Sequence, residues 1–200
     1  MSEPELLPIL GQQPRERSDA ARNRDALMYA AQTLVARCGA DAVTMDAVAE
    51  AAGVGKGTVF RRFGSRAGLM AGLLDASEAA WQAEVISGPP PLGPGAPPRE
   101  RLLAFGRSRL VSTLERAELV QAASGAQTRS YAAYSFTATH VRYLLGELGV
   151  RGDIALLATA LLAPLEIPIL HQQIDIEQMD VERILAGWED LVERVIGLRA

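Results

Sequence analysis

The chain has 200 residues, 48% apolar and 22% charged, with a formal net charge of −4. That length supports a substantial buried core in one large domain or two small ones, and the balance excludes a disordered or fibrous chain. Alanine and leucine outnumber β-branched residues, which favours helix over sheet.

Residues 1–14, MSEPELLPILGQQP, are acidic and interrupted by prolines. They are expected to be a disordered tail and lack the pattern of a signal peptide. From about Arg22 to Cys38, Leu27, Ala30, Ala31, Leu34 and Val35 recur at helical spacing. Gly39 is expected to end that helix, and Cys38 to be a small buried hydrophobe near its end. As the only cysteine it forms no intramolecular disulfide, in keeping with a reducing cytosol. Thr44 is a candidate N-cap for MDAVAEAA, with Asp46 in the first turn to suit the helix dipole. Gly53 ends this second helix, and a third is expected over Lys56–Phe63.

Gly64 and Ser65 break the pattern, and a longer helix from Arg66 to about Ile86 is expected to bury Leu69, Leu73, Ala76, Ala80 and Trp81. Residues 87–98, SGPPPLGPGAPP, hold too many prolines and glycines for a helix or strand and predict an exposed loop. Helical patterns resume near 99–116, 118–124, 128–148, 153–173 and 177–198, with Asp153 as an N-cap. The most apolar window, Ile154–Leu170, is interrupted by Pro164, Glu166 and Pro168. It falls short of the roughly 18–20 clean apolar residues of a membrane span, so no membrane partner is expected. No strand alternation or internal repeat is evident, and the fold class is all-α.

The stretch Ala51–Phe63, AAGVGKGTVFRRF, has the ingredients of a phosphate loop. A P-loop requires G-x-x-x-x-G-K-[ST] after a strand. Here Gly57 separates Lys56 from Thr58, Glu50 occupies the place of the first glycine, and the preceding segment is a helix former. A helix-turn-helix accounts for the spacings better. Ala49 permits close helix approach, Gly53 supplies the positive φ of a tight turn, and Val48, Val54, Val59 and Phe63 face inward. Lys56, Gly57, Thr58, Arg61 and Arg62 are then left outward, as on a helix that enters the major groove. Gly55–Arg66 contains four basic residues and no acid. Residues 1–70 carry a net +1 and 71–200 a net −5, so the acidic total conceals a local basic face.

Thr44–Leu69, TMDAVAEAAGVGKGTVFRRFGSRAGL, resembles the DNA-binding domain of the tetracycline-repressor (TetR) family. The resemblance implies an N-terminal three-helix helix-turn-helix domain over 15–64 and a helical ligand-binding and dimerisation domain over 65–200. It implies a homodimer on a near-palindromic double-stranded DNA operator, released by a small, mainly apolar effector. A repressor in the cytoplasm, with no cofactor, follows from the same resemblance. Thr44 would then meet a phosphate, and Lys56, Gly57, Thr58 and Arg61 base edges. Arg62 would take a phosphate or a base, and Arg66 a phosphate. Phe60 stands where the family usually has tyrosine, and Gly55 where it has a serine cap.

In the second half, Phe105, Tyr131, Tyr134, Phe136, His140 and Tyr143 are candidate effector contacts, since aromatic rings with polar tips suit such a site. Arg107 and Arg109 could meet an anionic ligand or face water. The apolar breadth of the last two helical segments suggests a dimer interface through Leu162, Leu165, Ile169, Ile184, Trp188, Leu191 and Val192. An internal core helix remains the alternative. His140 and His171 have no metal-ligand spacing, no G-x-S-x-G occurs, and no catalytic or metal site is expected. The alternative to a regulator is a helical ligand-binding or adaptor protein that no longer binds DNA.

Overall fold

The computed structural model describes residues 14–123 and 131–197, and every regular element among them is helical. The expected tail up to residue 13, and the start expected at 128 for a later helix, lie outside the described residues. Two compact units divide the chain between Arg66 and Ala67.

The first unit holds α1 (Pro14–Ala42), α2 (Met45–Ala51) and α3 (Lys56–Phe63). Helix α1 begins eight residues before the expected Arg22. Proline is compatible with a first helical turn, and the segment after it is rich in Ala and Arg, both good helix formers. Gly39, at φ 76° and ψ 160°, breaks the helical backbone as expected. Leu27, Ala31, Val43, Val48, Ala49 and Val59 are buried. Cys38 is exposed instead of buried, its Sγ donating to the Leu34 carbonyl at 2.9 Å.

The second unit contains nearly all of α4 (Arg66–Ser87), then α5 (Pro98–Ala122), α6 (Tyr131–Glu147), α7 (Ile154–Leu162), α8 (Ile167–His171) and α9 (Val181–Ile196). Helix α4 buries Leu69, Met70, Leu73, Trp81 and Val85, whereas Ala80 faces outward. The two helices expected near 99–116 and 118–124 are one, because no Gly or Pro stands where they were expected to part, at Arg116–Glu118. By contrast, the helix expected over 153–173 is broken. Pro164 lies in a 3₁₀ turn, Ala163–Leu165, and Pro168 restarts the chain as α8 before a π turn, Gln172–Ile176. Proline has no N–H and its ring clashes with the preceding turn, so each ends the ladder it interrupts. No single helix among the described residues is long and apolar enough to cross a membrane.

The loop between α4 and α5 is more folded than expected. Gly93 is buried with its N–H on the Pro89 carbonyl at 2.9 Å, and Leu92 packs on the core. Around α5 the core gathers Leu102, Phe105 and Leu110, Val141, Leu144 and Leu145 of α6, and Leu161 of α7. Trp188 of α9 seats its indole on Gly106, where a methyl group would overlap the ring, and donates its Nε1–H to the Leu161 carbonyl at 2.7 Å.

Candidate nucleic-acid interface

Thr44 caps α2: its Oγ1 accepts the Ala47 N–H at 3.1 Å, and the residue is exposed. Its hydroxyl hydrogen therefore remains available to an external acceptor. The turn after α2 is closed by Val54 N–H on the Ala49 carbonyl at 3.0 Å, with Gly53 at φ 65°. A side chain rarely adopts that backbone, which is why glycine stands there. Ala49 is 3% exposed and Val59 0%, so the small residue and the inward valine fix α3 against α2 as the spacing predicts.

This packing leaves the opposite side of α3 open. Gly55, Lys56, Gly57, Phe60, Arg61 and Arg62 are exposed, and Thr58 is half-buried. Gly55 provides no side-chain cap, and nothing lies within 4 Å of where a Cβ on Gly57 would be. The first turn of α3 is thus a bare backbone edge with basic side chains beside it. Lys56 Nζ rests on Asp46 Oδ2 of α2 at 2.5 Å, and Arg61 Nη2 reaches Thr58 Oγ1 at 3.4 Å. Both contacts are exposed and of small net strength, so either cation can exchange its partner for a phosphate.

Arg66, expected at a phosphate, also has partners within the chain. Its Nε donates to the Val43 carbonyl at 2.9 Å and its Nη2 to the Ala40 carbonyl at 2.6 Å, with Asp41 at 3.6 Å. The guanidinium is thereby fixed on the α1–α2 connection. Sequence spacing gives no signal for a contact that reaches back more than twenty residues.

In the second unit, Phe105, Phe136 and His140 come together. Phe105 stacks on His140 with centroids 5.1 Å apart, and Phe136 on His140 at 6.2 Å. Trp81, not among the expected contacts, meets Phe105 at 5.3 Å and Phe136 edge-on at 6.1 Å. Tyr134 reaches away to Thr159 Oγ1 at 3.0 Å. Tyr143 is a correction: it is 52% exposed and stands outside the cluster, on the solvent side of α6. Tyr131 opens α6, but its side chain lies outside the described residues. Burial pushes the His140 imidazole down, assisted by the Arg101 charge, to a pKa of about 4.

Beside the rings, the Glu78 carboxylate takes Arg109 at 3.0 Å and also Arg116, while Arg109 lies 4.9 Å over the Trp81 ring. Burial would raise the Glu78 pKa, yet Arg109, the Gln82 amide and Arg116 together hold it below the usual value. Arg107 pairs with Glu189 at 2.5 Å, so both arginines considered for a ligand already have carboxylates. An open groove of about 640 Å³ lies between α4, the proline loop and α5, with Trp81, Ser108 and Leu92 in its lining.

The expected dimer residues also require correction. Leu162, Leu165, Ile184, Trp188 and Val192 are buried in the chain's own core, and Leu191 is half-buried. Only Ile169, 43% exposed, faces outward. The outward stripe of α7 is instead Ala155, Leu156, Thr159 and Ala160; that of α9 is Arg183, Ala186, Gly187, Asp190 and Arg194.

Every regular element among the described residues is helical, and the locked helix-turn-helix presents a basic helix without an acidic side chain, the arrangement by which such a motif enters a major groove. Residues 27–73 match the family model for bacterial regulatory proteins of the tetR family. Residues 27–73 are accordingly a domain of the tetR-family type. Its fold is similar to the multidrug binding protein EbrR complexed with imidazole, at 24% identity and a TM-score of 0.58, over 93% of this chain and 97% of that one. It is also similar to the fatty acid degradation regulator FadR of Bacillus halodurans, at 16% identity and a TM-score of 0.59, over 87% and 98%. Thermus thermophilus FadR in complex with lauroyl-CoA aligns at 18% identity and a TM-score of 0.58, over 88% and 95%. No curated protein matches the sequence.

Proposed function

We propose that this protein is a ligand-responsive repressor that binds a near-palindromic operator as a homodimer in the cytoplasm. It acts by binding, without cofactor or turnover. The observation that carries the reading is the open face of α3, where Lys56, Gly57, Arg61 and Arg62 surround a backbone edge with no acid among them. In this reading Lys56, Gly57, Thr58 and Arg61 meet base edges, while Thr44 and Arg62 meet phosphates. Dimerisation uses the outward faces of α7, α8 and α9 around Leu156, Ile169 and Gly187.

The effector is a small, mainly apolar molecule held near the Trp81–Phe105–Phe136–His140 rings. Structural relatives described as a multidrug binding protein complexed with imidazole and as a repressor in complex with lauroyl-CoA support a small-molecule effector. The change it induces reaches the DNA-binding unit through α4, whose first residue, Arg66, is hydrogen-bonded to the α1–α2 connection.

Binding to a labelled duplex from upstream of the protein's own gene, at two salt concentrations with excess nonspecific competitor, tests this. Saturable, competitor-resistant binding by a dimer is expected. Failure on that fragment and across a genome-wide fragment library would favour a helical ligand-binding protein that no longer reads DNA.

A further inference from the structure

The inner side of α5 carries Arg101, Phe105, Arg109, Ser112 and Arg116 at spacings of three and four, so they share one helical face. Arg109 and Arg116 share the Glu78 carboxylate. Arg101 has none: it forms no ion pair or hydrogen bond among the described residues, and its Nε is sealed from water without a partner. The neighbouring His140 repeats the pattern, with its Nε2 buried and unpartnered while its ring stacks on Phe105 and Phe136. Two buried nitrogens without an acceptor, one on a cation that is felt electrostatically by the other, are a half-made anion site. Arg101 as a whole is half-buried.

We propose that the effector is an organic anion, a carboxylate with an apolar body. Its charge pairs with Arg101, one oxygen accepts the Nε2–H of His140, and its body lies against the Phe105 and Phe136 rings. The inference rests on the effector reading above and adds the chemical class of the ligand. The low pKa of His140 agrees with it, because a neutral imidazole retains a single N–H to donate and leaves Arg101 as the charge. A bound anion would return that pKa upward.

The full-length protein labelled with ¹⁵N-histidine gives two imidazole environments, His140 and His171, which allows a direct titration. The probes are benzoate and its neutral isostere benzamide. Benzoate should shift the His140 resonance saturably and raise its pKa, with benzamide about tenfold weaker or worse. Arg101→Gln should remove the preference for benzoate, while Arg101→Lys, which restores the charge, should recover part of it. Equal response to the two probes, no response of His140 to either, or unchanged benzoate affinity in Arg101→Gln would each overturn the proposal. Operator binding is measured in parallel. Release by neutral molecules alone would keep the effector reading and sink the anion; Arg101-dependent benzoate binding without release would do the reverse.

Discussion

At the scale of single residues, the helix-turn-helix declared itself because each spacing has a mechanical reason. Ala49 is small where helices cross, Gly53 takes a positive φ, and Val59 is buried. Arg66 was illegible for the opposite reason, since its partners are main-chain carbonyls that any sequence would provide. Arg62 is exposed, and Arg62→Ala should lower operator affinity and flatten the log–log salt slope by about one unit per half-site. An unchanged slope would remove Arg62 from phosphate contact. Phe60 is 49% exposed, so Phe60→Tyr adds a hydroxyl without disturbing the core and should tighten operator binding, as a duplex titration would reveal. His140 offers a pH test. Its folded pKa lies below the ordinary 6.5, so the folded state binds fewer protons. The stability of the neutral form is complete above pH 6.5 and is lost as pH falls toward 4. Denaturant midpoints between these limits should depend less on pH in His140→Phe than in the parent.

At the scale of elements, helix content could be anticipated but the side on which each helix finds its partner could not. An apolar stripe on α9 predicts burial, yet its own chain and a second copy would cover it equally well. Trp188 settles the matter by seating on Gly106 and bonding to Leu161. Gly106→Ala should therefore force α5 and α9 apart and cost about 1–3 kcal/mol, measured as a lower denaturant midpoint. A midpoint equal to the parent's would mean that the indole can move aside. The break at Pro164 and Pro168 was readable in principle, because those two residues forbid a continuous helix, but the surrounding leucines gave a stronger apolar signal.

For the whole molecule, the proposed function requires that two binding events be linked. Under that proposal operator and effector weaken each other by the same factor, whatever the route between them. The proposal also requires a dimer, since two half-sites have to be occupied together. Leu156 is 67% exposed, so Leu156→Glu should leave the monomer fold intact. It should weaken the dimer by about 3 kcal/mol, roughly a hundredfold in dissociation constant. Sedimentation at falling concentration would detect this, with a matching loss of operator affinity. A dimer of unchanged strength would place the interface elsewhere.

Lys56 is the chain's only lysine, exposed and leaning on Asp46 at the start of α3. Amine-selective chemistry consequently has one side chain to find. An acylating dye would install its one side-chain reporter at the first turn of α3 without any engineered cysteine, and acetylation would erase one positive charge there. Bound operator should shield Lys56, so its labelling rate, followed by mass spectrometry, becomes a footprint taken from the protein's side.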